Sequence, residues 1–163
     1  MSVVVSDTSP IRALDHLKLT SLFSRLYGEV LIPPGVAEEL CDPASSLPPL
    51  EWANIPGLRL RAPSDIGRVS QLLDELDRGE SEAIVLAIEV HAAALLVDER
   101  QARGIAVSLG LKPVGTLAML IRAKEQGFVS AVTPLMEQLR TGIGFHISPA
   151  LHAEIRHLAK EED

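Results

Sequence analysis

Carboxylates recur at four places where an apolar run ends or a helix begins: Asp7, Glu38-Glu39, Glu80 with Glu82, and Asp98-Glu99. The clearest is Val3-Val4-Val5-Ser6-Asp7-Thr8-Ser9-Pro10, where three β-branched residues run into an acid, two hydroxyls and a proline. That pattern predicts a buried strand, a polar turn and a helix behind it. In a parallel sheet the strand ends at Asp7 and Asp98 share one edge, and the helix starts that carry the other acids lie near it. Carboxylates brought together repel at neutral pH unless a proton or a cation compensates. Oxygen ligands without Cys or His beside them suit Mg2+ or Mn2+. Such an ion lowers the pKa of a water and polarises a phosphoryl oxygen. The competing explanation is local. Acids at helix N-termini favour the dipole whatever the function, and either Asp7 or Ser9 could cap the first helix.

The elements that must position these acids alternate. Periodicity predicts a helix over 11–22, a short strand over 30–32 and a helix from Val36 through Leu40. Residues 42–56 carry four prolines around Trp52 and read as a loop or short helix that packs one aromatic on the body. An edge strand is expected over 58–62 and a helix over 65–76, broken at Gly79. Glu80-Ser81-Glu82 then opens the most apolar helix, through Val90. A third strand over 93–97 ends at Asp98-Glu99. Helices follow over 101–109, 117–125, 133–139 and 149–158, with Val114 as a very short strand. Strands alternating with helices predict a parallel sheet covered on both faces.

The 163 residues suit one domain, 1–158, with 159–163 as a flexible acidic tail. Hydrophobic residues make up 47% and aromatic ones 3%, so the expected core is aliphatic. The net charge of -7 argues against broad nucleic-acid affinity through a basic surface, while leaving room for a nuclease whose metal ions offset its acids. Cys41 is the single cysteine, expected as a small buried filler, which excludes an intrachain disulfide. No signal peptide or membrane span is expected, and a cytoplasmic location is the default. The turn after the first strand contains no glycine, which argues against a dinucleotide cofactor. His16, His91, His146, His152 and His157 show no metal-ligand spacing.

Taken together, these stretches resemble the PIN-domain family, in particular its compact prokaryotic members related to the toxin ribonucleases of toxin–antitoxin pairs. Val5-Ser6-Asp7-Thr8-Ser9 resembles the family's first motif and Pro33-Pro34-Gly35-Val36-Ala37-Glu38-Glu39-Leu40 its second. Gly79-Glu80-Ser81-Glu82-Ala83-Ile84 resembles the third and Leu95-Leu96-Val97-Asp98-Glu99-Arg100 the fourth. The resemblance implies a three-layer α/β/α sandwich with a central parallel sheet. It also implies metal-dependent hydrolysis of RNA, with Mg2+ or Mn2+ held by Asp7, Glu39, Glu82 and Asp98. A homodimer and a small antitoxin protein are the implied partners, with no membrane. Glu82 stands where many active members carry aspartate. At the fourth motif Asp98 is preferred to Glu99 because it directly ends the strand.

Thr8, Ser9 and Thr116 each read equally as orienting groups, phosphate contacts or helix caps. Arg100 and Arg103 follow the last acid and could meet an RNA backbone, and Arg103 could equally pair within the rim. Two alternatives remain in view. One is a catalytically degenerate fold that binds RNA or a protein. The other is a nuclease acting on another nucleic acid.

Overall fold

The computed structural model describes residues 2–162. Five short parallel strands form one sheet: β1 (Val4–Ser6), β2 (Val30–Ile32), β3 (Leu58–Leu60), β4 (Ala94–Leu96) and β5 (Pro113–Val114), in the order β3-β2-β1-β4-β5. The helices are α1 (Thr8–His16), α2 (Ser21–Tyr27), α3 (Pro34–Cys41), α4 (Ile66–Leu72), α5 (Arg78–Glu89), α6 (Arg100–Ser108), α7 (Thr116–Glu125), α8 (Thr133–Ile143) and α9 (Pro149–Leu158). They cover both faces, which gives a three-layer α/β/α sandwich with a central parallel sheet.

The two-residue period of the strands divides the core. Val4, Val30, Ile32, Ala94 and Leu96 face a layer built from α1, α2, α3, α7, α8 and α9. Val5, Leu31, Leu95 and Val97 face the other way, onto α5 and α6. Both faces of the central strands are therefore apolar, as buried parallel strands require. The chain winds outward from β1 to β3, then crosses back to place β4 on the other side of β1. This reversal opens a crevice at the carboxyl ends of β1 and β4, the position where open α/β sheets place their sites. Asp7 and Asp98 both lie just beyond those ends.

The structure departs from expectation in local phase. The single helix expected over 11–22 is two. Leu19 N–H bonds to the Leu14 carbonyl and Lys18 N–H to the Asp15 carbonyl, with Lys18 at φ 58°. That is a helix stop of the kind glycine usually makes, formed here by a lysine and so invisible to a glycine signal. Gly79 does not break a helix; it lies in the first turn of α5. Asp77 caps that helix by accepting from Glu80 N–H at 2.8 Å, and the Glu80 carboxylate returns to Asp77 N–H at 3.2 Å. Cys41 is exposed, not buried. Leu40 takes the core position of α3, and its neighbour, about 100° further round the helix, faces out. Trp52 packs on the core as expected. Among the described residues no helix is long and apolar enough to cross a membrane.

The acidic end includes a structural anchor. The Glu161 carboxylate accepts from Val132 N–H at 2.7 Å and Thr133 N–H at 2.8 Å, and pairs with Lys124 Nζ at 3.0 Å. It thus caps α8 from the far end of α9. Replacing Glu161 with Ala leaves those amides without their cap and should cost about 1–2 kcal/mol of unfolding free energy. Urea denaturation reads the effect as a lower midpoint at unchanged slope; an unchanged midpoint contradicts the anchoring role.

Candidate functional site

The crevice beyond β1 and β4 is a cavity of about 880 Å³. Six carboxylates line it: Asp7, Glu39, Asp77, Glu80, Asp98 and Glu99. Each arrives from a different local cause. Asp7 follows β1 in an extended conformation, at the position of an N-cap for α1, yet its side chain makes no capping hydrogen bond. Ser9 does not cap either. Its hydroxyl donates to Asp98 Oδ2 at 3.0 Å, and the Thr8 hydroxyl donates to Glu39 Oε2 at 2.9 Å. Thr116 holds Asp98 twice, through its backbone N–H and its hydroxyl, both at 2.7 Å. Three hydroxyls thus fix two carboxylates on the rim. Glu99 caps α6 by accepting from Ala102 N–H at 2.8 Å while also lining the cavity.

Two glycines allow this crowding. A Cβ on Gly79 would lie 3.2 Å from Glu39 Oε2 and 3.5 Å from Asp7 Oδ1. A Cβ on Gly115 would lie 2.6 Å from Arg103 Nη1 and 3.3 Å from Asp98 Oδ1. The first turns of α5 and α7 therefore approach the acids directly. Arg103 is half-buried beside Asp98 and donates to the Val97 carbonyl at 3.4 Å, while Arg100 is exposed. Both line the cavity.

Glu82 occupies a different place. Its Oε1 accepts from Gly35 N–H at 2.8 Å and its Oε2 from Arg78 Nε at 2.7 Å. It thereby caps α3 from α5, and Arg78 also pairs with Glu38. The residues around it form a second, smaller hollow of about 230 Å³ with Pro34 and Ile66. Because α5 begins at Arg78, Glu80 and Glu82 point roughly 200° apart around the helix, and it is Glu80 that reaches the cavity.

Sequence reasoning passed over several cavity residues. Asp77 was legible in principle, since Asp-x-x-Glu before an apolar run is a capping-box signature. Arg12 carried no signal. It is buried at 8% exposure and donates to the carbonyls of Leu40, at 3.1 Å, and Pro48, tying the loop after α3 to α1. That loop contributes Ser45, Ser46 and Leu47 to the cavity.

Like charges in a buried site raise their own proton affinity. Burial pushes the Asp7 carboxyl up to about 8; the Thr8 backbone N–H opposes this, and the charges of Glu80, Asp77 and Glu39 add to it. Burial likewise raises Glu80 to about 7, opposed by the Asp77 backbone N–H and reinforced by the charges of Asp77 and Glu99. By donor chemistry these oxygens fit a hard divalent cation. Among the described residues, no three His, Cys, Asp or Glu side chains stand already arranged to hold one. Glu39, Asp98 and Glu99 are instead held by donors of the protein itself.

A parallel α/β/α sandwich with an acidic crevice at its topological switch point defines a class of fold built to carry a site there. The family model described as a PIN domain matches residues 3–161, and the chain belongs to the PIN-domain family. That membership gives it a nuclease-type fold. A search of curated proteins returned no match.

The raised carboxyls set a pH dependence. Asp7 and Glu80 bind protons more tightly when folded, from ordinary values of 3.8 and 4.5. Their contribution to stability is complete below those values and is lost as pH rises towards about 8 and about 7. In chelator, the wild-type melting temperature should therefore fall from about pH 6 to about pH 9, and Asp7→Asn should flatten that fall. At the alkaline end the variant should be the more stable protein. Parallel melting curves for the two proteins would count against a buried, proton-holding Asp7.

Proposed function

We propose that the chain is a metal-dependent endoribonuclease that hydrolyses RNA phosphodiester bonds. The observation that carries this reading is the convergence of six carboxylates on one cavity, with the neighbouring hydroxyls spent on orienting acids and not on capping α1. Asp7, Glu39 and Asp98 are the proposed ligands for Mg2+ or Mn2+, joined by Glu80 on the α5 side. Glu82 supports them by holding α3, which carries Glu39, against α5. When bound, the ion lowers the pKa of water and neutralises developing charge on the phosphate. Asp7 is the most buried of the set, and burial raises its proton affinity; as a ligand it would exchange that proton for the cation. Thr8 keeps Glu39 turned towards the rim, and Thr116 with Ser9 does the same for Asp98. Arg100, at the exposed mouth, meets the RNA backbone.

As a biological role we propose a toxin acting as a homodimer in the cytoplasm and neutralised by a small antitoxin protein. Its support is the family resemblance alone. A binding-only PIN fold has one observation in its favour, the absence of a preassembled three-carboxylate group among the described residues. Manganese titration separates the two, because a scaffold has no need of the ion.

Cleavage of an RNA pool with Mg2+ or Mn2+ tests the enzyme reading. Asp7→Asn and Glu80→Gln should each lower the rate by about a hundredfold or more, the scale of losing a group that acts in the transition state. Glu82→Gln should chiefly lower stability, through the lost cap on α3. Equal rates for wild type and Asp7→Asn defeat the proposed site, and a rate loss confined to Glu82→Gln moves the third ligand from Glu80 to Glu82.

A further inference from the structure

One wall of the cavity takes no part in the chemistry above. Leu117, from the start of α7, and Leu151 and Ile155, from α9, present apolar surface to it, together with Phe145 from the α8–α9 connection. Gly144 ends α8 in the left-handed conformation, at φ 66°, and Phe145 N–H then donates to the Leu139 carbonyl at 3.1 Å. This fixes the backbone from which Phe145 projects. Of the chain's few Phe, Trp and Tyr residues, Phe145 packs its inner side on the core, as Trp52 does, but also lines the cavity, where none of the others stands. Phe23 is fully buried, Trp52 packs on the core, Arg25 lies over Phe128 and Arg122 over Tyr27. Phe145 is half-buried and lines the cavity.

Electrostatics makes that aromatic informative. A nucleic-acid strand entering this cavity meets six carboxylates. Of the cavity's arginines, Arg12 and Arg103 both donate to backbone carbonyls, which leaves Arg100 as the exposed one that faces phosphate. A contact indifferent to charge adds affinity whether or not a cation offsets the rim. Base–aromatic stacking is such a contact, and it requires an unpaired base. A nucleotide also matches the layout, since it offers a flat apolar face with a phosphate attached to it.

We propose that Phe145, which lines the same cavity as Leu117 and Leu151, is a nucleobase-stacking subsite that holds one unpaired base beside the carboxylate rim. It rests on the nuclease reading for its substrate. A duplex keeps its bases stacked on each other and gains nothing from this wall.

The test uses oligoribonucleotides carrying 2-aminopurine at successive positions, mixed with the full chain and Mg2+ and read by stopped flow before cleavage. Wild type should quench one position strongly. Phe145→Leu, which keeps an apolar contact with the core, should lose that quench and bind about tenfold more weakly, and Phe145→Trp should restore both. With Arg100 as the exposed arginine of the cavity, log K against log salt should be shallow, about -0.7. Equal quenching and affinity for wild type and Phe145→Leu, at matched melting temperatures, overturns the subsite, as does equally tight binding of a blunt duplex. The two proposals fail separately. Cleavage that needs Asp7 but ignores Phe145 removes only the subsite. Phe145-dependent quenching without cleavage in either metal removes only the enzyme reading.

Discussion

Asp7 is buried at the carboxyl end of the central strand, and its neighbours Glu39, Asp77 and Glu80 are acids too. A carboxylate in that position is unstable unless a proton or a cation joins it, and burial accordingly raises its proton affinity by several powers of ten. The surrounding structure acts to keep the acids there despite this. β1 delivers Asp7 because it is the middle strand, paired on both sides and apolar on both faces. Thr8, Ser9 and Thr116 hold the adjacent carboxylates of Glu39 and Asp98 in place by hydrogen bonds. Gly79 lets the first turn of α5 come close enough to bring Glu80 into the same space. Local stability alone would favour the opposite choices: a capping Asp7, an alanine at Gly79 and an apolar residue at Thr116. A cluster of rule-breaking choices at one end of a sheet is what a functional site looks like energetically.

The layers and the strands were legible because they rest on patterns the sequence carries directly. Val3-Val4-Val5, Val30-Leu31-Ile32 and Ala94-Leu95-Leu96 are short apolar runs, and only a sheet covered on both faces can bury them. Asp7 and Asp98 were legible for the same reason, since a strand end fixes the position of the residue after it. The misread features all depend on helix phase. Lys18 stops α1 without a glycine, Cys41 lies one residue past the core stripe, and α5 starts two residues earlier than the glycine at 79 suggests. A strand tolerates an error of two residues without changing which face a side chain takes. A helix does not, because two residues turn it by about 200°.

That difference bears most on the third acid. Glu80 and Glu82 were inseparable as letters, both in the first turns of one helix and both able to favour its dipole. Geometry divides the work. Glu82 is nearly buried, yet both its oxygens are occupied by Gly35 N–H and Arg78, so its charge is compensated within the fold. Glu80 accepts from the Asp77 backbone N–H, and burial and the like charges of Asp77 and Glu99 leave it with a raised proton affinity. A carboxylate already neutralised by a guanidinium and an amide has little to offer a cation. One left under-compensated among other acids has much to gain from it.

The same reasoning explains why the cavity needs two unlike walls. Carboxylates strong enough to attract a divalent ion also repel the polyanion that the ion would act upon. With a net charge of -7 and Arg100 as the exposed arginine of the cavity, the protein's own charges offer a polyanion little long-range attraction. Short-range apolar contact can supply affinity, because it is unaffected by the sign of the rim and is lost when a base is paired. The connection between α8 and α9 places Phe145 where that contact is possible, far in sequence from every acid of the rim. On the proposed reading, a preference for unpaired strands would need no base-specific hydrogen bond, because paired bases stay stacked on each other and gain nothing from this wall.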